Sequence, residues 1–205
     1  MSSMSIPIQC CGAIVLCGGQ SVRMGADKAT LRIGGETMLE RMVRIVSGVL
    51  DPVVVAARGG QEVPDLPDGV LLVRDAVEHA GPLAGIAAGL AAFDGRCDAV
   101  FVCACDHPLL KPAFIRRLIE QLGRDAAAVP EKDGRRYPLT AVYRAGVRSV
   151  IDDLLTAGHR RMGMLVEACD ARIIPAERFA DVDPDLDSLR NVNDPGEFEA
   201  IARRS

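Results

Sequence analysis

The chain has 205 residues, 49% of them hydrophobic but only 3% aromatic, with no Trp. That length suits one domain with an aliphatic core, which favours α/β layering, where buried parallel strands read as short Val/Ile-rich runs. A net charge of −4, from 24 basic and 28 acidic residues, argues against a general nucleic-acid binder, which carries a strong basic excess.

Residues 1–10 read as a flexible N-terminal extension; Met1 to Gln9 lacks the basic region and long apolar stretch of a signal peptide. No segment approaches the roughly 20 apolar residues of a membrane span, so the chain is expected to be cytoplasmic, with no membrane partner. The cysteines are Cys10, Cys11, Cys17, Cys97, Cys103, Cys105 and Cys169. Their odd number and the lack of a Cys-x-x-Cys pair argue against a disulfide framework. Cys103 and Cys105 fall on one face of a predicted strand, as buried thiols or a metal pair, the former expected.

The first strand is predicted at 12–17 and runs into Gly18-Gly19-Gln20-Ser21-Val22-Arg23-Met24-Gly25-Ala26-Asp27-Lys28. Paired glycines let backbone N–H groups approach a ligand, and Arg23 and Lys28 add two positive charges, the outline of a phosphate cradle. It is not a Walker A loop, because Asp27 precedes Lys28 and Ala29 follows it. Nor does Gly18-Gly19 followed by Gly25 match the Gly-x-Gly-x-x-Gly dinucleotide fingerprint.

Thr37-Met38-Leu39-Glu40 is a capping-box pattern opening a helix with an apolar stripe from Met38 to Leu50. Strands are predicted at 53–57 and 70–73, with Asp75 just past the second. Gly81-Pro82-Leu83-Ala84-Gly85 then starts a helix. Its small residues Gly81, Ala84 and Gly85 either let a ligand ring approach the helix start or pack the helix tightly on the sheet. The most apolar strand, 98–105, ends in Asp106-His107-Pro108. A carboxylate at that edge sits where open α/β sheets bind ligands, and beside phosphates it calls for a bridging Mg²⁺. The alternative is that Asp106 caps the helix predicted over 111–122. His107 reads as an exposed loop histidine in preference to a general base.

A strand at 126–129, a charged turn around Gly134 and a strand at 137–143 follow, the last placed on an edge because Pro138 cannot donate to a ladder. After a helix at 146–155, Gly158-His159-Arg160-Arg161-Met162 is either an anion fork or a solvated face. A late strand at 171–174 and an acidic loop, 181–187, precede Leu189-Arg190-Asn191-Val192-Asn193-Asp194-Pro195. Asn191 and Asn193 share a face if that stretch is extended, serving a ligand or buried backbone. Asp194, Pro195 and Glu197 start the last helix. Without repeat or linker, residues 1–205 read as a single three-layer domain, a mostly parallel mixed sheet with helices on both faces.

The opening block resembles the signature of the Rossmann-like nucleotidyltransferases, which usually begins Leu-Ala-Gly-Gly. More closely, Gly81 to Gly85, Cys103-Ala104-Cys105-Asp106-His107-Pro108, Gly158 to Met162 and Asn191 to Pro195 resemble, in order, blocks of the molybdenum cofactor guanylyltransferases (MobA-type), over about residues 12–203. The resemblance implies transfer of GMP from GTP to the molybdopterin-bound molybdenum cofactor, with release of pyrophosphate. It implies that Leu16, Cys17, Gly18 and Gly19 hold the nucleotide through backbone groups and that Arg23 and Lys28 contact the triphosphate. The resemblance further implies that Asp75 lies near the nucleotide, that Asp106 binds Mg²⁺ and nucleotide, and that Arg161, Asn191 and Asn193 face the pterin. Transient contact with other cofactor-biosynthesis proteins or acceptor molybdoenzymes is also implied. Cys17 replaces the usual Ala, and Ala56-Ala57-Arg58 stands where an Asn is frequent. A molybdopterin cytidylyltransferase or a sugar-phosphate nucleotidyltransferase shares the opening loop, and a non-catalytic nucleotide-binding module remains a further alternative.

Overall fold

The computed structural model describes residues 8–17, 28–75, 81–192 and 195–202. In chain order the elements are β1 (Cys11–Leu16), β2 (Arg32–Ile33), β3 (Glu36–Thr37), α1 (Met38–Ser47), β4 (Val53–Arg58), β5 (Leu71–Asp75), α2 (Gly81–Ala92), β6 (Ala99–Ala104) and α3 (Pro112–Gln121). They continue as β7 (Ala127–Lys132), β8 (Arg135–Arg136), β9 (Thr140–Arg144), α4 (Val147–Thr156), α5 (Met162–Ala168), β10 (Arg172–Pro175) and α6 (Pro195–Ala202), with 3₁₀ turns at Lys28–Thr30, Ala176–Phe179 and Asp187–Leu189. No helix among the described residues is long and apolar enough to cross a membrane.

The main sheet has eight strands in the order β10-β7-β9-β6-β1-β4-β5, with β8 paired to β7. β1 runs parallel to both neighbours, Ile14 opposite Val54 on one side and Val102 on the other. Because β1 is covered on both faces, its side chains divide by alternation. Ala13 and Val15 join the apolar layer holding Leu39, Met42 and Val43 of α1 with Phe114 and Leu118 of α3. Ile14 and Leu16 join the opposite layer, with Leu83 and Ile86 of α2, Ile151 of α4 and Leu165 of α5. This is the expected mixed, mostly parallel sheet between two helical layers.

Local chemistry sets the element ends. In α1 the predicted capping box forms: Glu40 N donates to Thr37 Oγ1 at 3.1 Å and Thr37 N to Glu40 Oε2 at 2.6 Å. The turn around Gly134 becomes a tight hairpin between β7 and β8, with Asp133 and Gly134 both at positive φ (52° and 73°). The strand expected on an edge is instead interior. β9 lies antiparallel between β6 and β7, because Pro138 falls before the strand starts at Thr140. The Pro138 carbonyl accepts the buried Tyr143 hydroxyl at 2.8 Å. All seven cysteines are free thiols. Cys103 and Cys105 are both buried in the layer of α1 and α3, and burial pushes the Cys103 thiol far up.

α2 sits very close to β1 because Gly89 has no side chain. A Cβ there would lie 2.8–2.9 Å from three atoms of the buried Ile14 side chain. On an exposed helix Gly→Ala stabilises by about 1 kcal/mol; here overpacking, on the order of 1–3 kcal/mol, should reverse the sign. Gly89→Ala is expected to lower the urea midpoint, and a raised midpoint would show that Ile14 does not hold the helix so close.

Candidate functional site

The direction of chain growth reverses at β1: β4 and β5 extend the sheet to one side, and the chain then returns to place β6 on the other. Such a reversal opens a crevice at the carboxyl ends of the two central strands. Here those ends are tied together directly. Cys105 N donates to Leu16 O at 3.0 Å, and Cys17 N to Ala56 O of β4 at 3.0 Å. Gln61, buried beyond the end of β4, fastens the same point: its Nε2 donates to Cys17 O at 2.8 Å while its Oε1 accepts Arg58 N at 3.1 Å. Leu16 and Cys17 are themselves buried, on opposite faces of the sheet. Gly18, Gly19 and Arg23, the expected phosphate loop, lie outside the described residues.

The chain re-enters the described structure at Lys28, in the Lys28–Thr30 turn, held by the fully buried Ala29 and, through Leu31 O, by Met38 N at 2.7 Å. Next comes the β2–β3 hairpin, whose Ile33 packs with Met38 and Val192 in a small third apolar cluster that Leu31, Leu109 and Phe198 complete. Three segments far apart in sequence therefore share one apolar floor: the stretch after Lys28, the loop after β6 and the C-terminal segment. Arg41 of α1 adds a polar tie, its Nε donating to Pro108 O at 2.8 Å.

Asp106 stands one turn beyond β6 with a side chain 20% exposed. It does not cap α3: that helix starts six residues on, with Lys111 at the N-cap position and no side-chain cap. The Asp106 carbonyl accepts Val192 N at 2.8 Å, which places Asn191 beside the Asp106 loop; Asn193 lies outside the described residues. The extended stretch expected there is only partly seen, since Asp187–Leu189 forms a 3₁₀ turn. Asp75 ends β5, in register with Arg58 of β4, so its backbone too reaches the carboxyl edge of the sheet. Gly85 is buried within α2.

Arg161 occupies the position before α5 and is exposed. The turn it belongs to rests on the start of α2. Gly81 has φ +74°, and a Cβ there would lie 3.2 Å from Arg160 O. Two blocks separated in sequence, Gly81 to Gly85 and Gly158 to Met162, thus meet on one side of the crevice.

His107 lies in the loop after β6 as expected but is not exposed there: only 6% of the residue reaches solvent. Its Nδ1 lies 3.2 Å from Ser188 O and 3.5 Å from Thr140 Oγ1, and its Nε2 lies 3.5 Å from Asp106 Oδ1. The acidic stretch 181–187 is not all loop surface: Asp183 is fully buried. It receives Lys111 Nζ at 2.6 Å and the backbone N–H groups of Ser188 at 2.9 Å and Asp187 at 3.2 Å, while Ser188 Oγ accepts Lys111 N at 3.0 Å. Lys111 and Asp183 are 72 positions apart, so no local pattern announces the pair. The one signal was the density of Asp around a region that must fold back. Burial alone would raise the Asp183 carboxyl, but Lys111 and Ser188 outweigh it and hold it below the usual value. The Asp183 hydrogen bond holds the Lys111 ammonium above its own usual value.

Among the described residues no group of three or more His, Cys, Asp or Glu side chains is gathered to hold a metal ion. A single part-exposed carboxylate at a strand end fits a hard cation that takes its remaining ligands from phosphate and water, the habit of Mg²⁺.

A family model described as the MobA-like NTP transferase domain matches residues 13–173. A probable molybdenum cofactor guanylyltransferase from Mycobacterium avium is 37% identical over 196 residues, 93% of this chain and 94% of that protein. One of the same description from Mycobacterium tuberculosis is 44% identical over 169 residues, 80% of this chain and 83% of its own. Among solved structures, molybdopterin-guanine dinucleotide biosynthesis protein A from Archaeoglobus fulgidus superposes with a TM-score of 0.77 at 23% identity, covering 94% of this chain and 97% of its own. The Thermus thermophilus 2-C-methyl-D-erythritol 4-phosphate cytidylyltransferase superposes with a TM-score of 0.68 at 18% identity, covering 98% of each chain. At such identities the two structures speak for the fold alone.

Asp183→Asn removes the buried charge that Lys111 and two amides share, and should cost about 2–3 kcal/mol at neutral pH. Because the folded-state carboxyl is depressed, that contribution is present above the unfolded value near 4 and fades as pH falls through the folded one. Urea unfolding of both proteins at pH 7 and in acid should show the gap narrowing; an equal gap at both would remove the charge from the account.

Proposed function

We propose, for a chain that belongs to the MobA-like NTP transferase family, that it transfers GMP from GTP to the terminal phosphate of the molybdopterin-bound molybdenum cofactor. The description of its curated relatives supplies the reaction. The observation that supports the proposed residues is the bond from Cys105 N to Leu16 O. It sets the carboxylate-bearing end of β6 beside the strand end from which the Gly18-Gly19 loop departs.

In the proposed reaction a pterin phosphate oxygen attacks the α-phosphorus of GTP, a new P–O bond forms, and the bond to the β-phosphate oxygen breaks to release pyrophosphate. A phosphate monoester is largely ionised at neutral pH, its second pKa being about 6. No side chain need remove a proton, and catalysis reduces to positioning and charge neutralisation. Leu16 and Cys17 fix the strand end that aims the loop; Gly18 and Gly19 bring backbone N–H groups to the nucleotide, and Gly85 leaves room for it. Arg23 and Lys28 offset the triphosphate charge, Lys28 from the turn whose Ala29 is buried in the core. Asp75, at the end of β5, lies near the nucleotide in this reading. Asp106 is the residue that would hold Mg²⁺, which when bound supplies further neutralisation at the phosphates. Arg161, Asn191 and Asn193 are assigned to the pterin: Asn191 through the C-terminal strap, residues 183–192, that binds the Asp106 carbonyl, Arg161 through the turn resting on α2.

Pyrophosphate release with molybdopterin and Mg²⁺ should be fastest with GTP and far slower with CTP or ATP. A preference for CTP would reassign the base, and GTP binding without pyrophosphate release would make the chain a binding module. Lys28→Ala and Asp106→Ala should each slow release by about 10²-fold or more, the scale of losing one preorganised stabilising group; near-normal turnover in either would remove that residue from the mechanism.

A further inference from the structure

We infer that His107 is a positioning residue that pins the Asp106 loop to the C-terminal strap through its Nδ1, and so sets where the Asp106 carboxylate stands. The inference rests on the proposed reading of Asp106 as the Mg²⁺ ligand.

The geometry is specific. The His107 ring is buried, and its Nδ1 faces the Ser188 carbonyl at 3.2 Å. A carbonyl oxygen only accepts, so Nδ1 carries the proton. The imidazolium and one neutral tautomer both provide it, and the pin therefore does not depend on the charge of the ring. The fully buried Thr140 hydroxyl stands 3.5 Å from the same nitrogen and closes that side of the ring. Ser188 is itself fixed: its N–H donates to the buried Asp183 at 2.9 Å, and its Oγ accepts Lys111 N at 3.0 Å. The strap returns a second bond four residues beyond Ser188, from Val192 N to Asp106 O at 2.8 Å. Asp106 therefore sits between two attachments to one strap, a backbone bond at its own carbonyl and a side-chain bond from the next residue. With the ring held, Nε2 lies 3.5 Å from Asp106 Oδ1, close enough to limit the carboxylate's rotation. Outer partners of this kind matter to metal sites because they fix the orientation of a ligand, and their loss typically weakens metal binding 10–100-fold.

Two side-chain amides separate the pin from the nearer contact. Asn places its amide nitrogen about where Nδ1 lies, whereas Gln places its own nearer the position of Nε2. The test is Mn²⁺ binding to the full chain with GTP present, read by the loss of the free-ion electron paramagnetic resonance signal, for the parent chain, His107→Asn, His107→Gln and Asp106→Asn. Thermal unfolding of each variant is measured alongside, so that affinities are compared only between folded proteins. The expected result is Mn²⁺ affinity within about threefold of the parent in His107→Asn and lowered roughly 10-fold or more in His107→Gln. Equal affinity in both, loss in both, or loss in His107→Asn alone would overturn the pin. So would a His107→Asn protein that does not fold. Parent-like Mn²⁺ binding by Asp106→Asn would instead overturn the metal reading on which the pin rests.

Discussion

One backbone hydrogen bond, Cys105 N to Leu16 O at 3.0 Å, holds the central geometry. It extends the parallel ladder between β1 and β6 one step past Ala104, the partner of Leu16 in the last regular pair. β6 ends at Ala104, and Pro108, which has no backbone N–H, could not carry its ladder further. The bond thus sets two strand ends side by side, one preceding the glycines and basic residues in sequence, the other preceding the carboxylate. Gln61 guards the same joint from the β4 side, converting a strand end that water could fray into a closed set of bonds.

The C-terminal strap matters for a similar reason. A loop that carries a functional carboxylate is exposed on at least one side, so it needs attachments elsewhere. The strap supplies them in two chemistries. Apolar contact comes from Val192 with Ile33 and Met38. Polar contact comes from Asp183, Ser188 and the Val192 amide, reaching Lys111, His107 and Asp106. The acidity of this stretch is in part an anchor: Asp183 meets the Lys111 ammonium beneath the surface, while Asp181 pairs with Arg117 in solvent at 2.7 Å, where such a pair contributes little.

The layers were legible because their signals are local. Strand runs such as Ala13-Ile14-Val15-Leu16, the Thr37–Glu40 box and the Pro82 and Pro112 helix starts each act within a few residues, and all appear where the pattern puts them. The strand-end position of Asp106 was legible for the same reason, since a polar break after a fully apolar strand can lie only at the sheet edge. What was not legible depends on contacts across the chain. His107 looks exposed from its neighbours in sequence, and its burial follows from Thr140 and Ser188, which belong to β9 and the strap. The interior place of β9 depends on β7 pairing with its far side, something Pro138 alone could not reveal. Asp183 reads as one more surface acid until Lys111 is brought to it.

In the proposed reaction the nucleotide phosphates lie over the carboxyl ends of β1 and β6, between Lys28 and Asp106. A crystal structure of the chain grown with GTP and Mg²⁺ tests this most directly. The expected density has the metal on an Asp106 carboxylate oxygen, the triphosphate against Lys28 and the base toward Asp75 and the start of α2. A triphosphate bound elsewhere, or a metal held without Asp106, would contradict it.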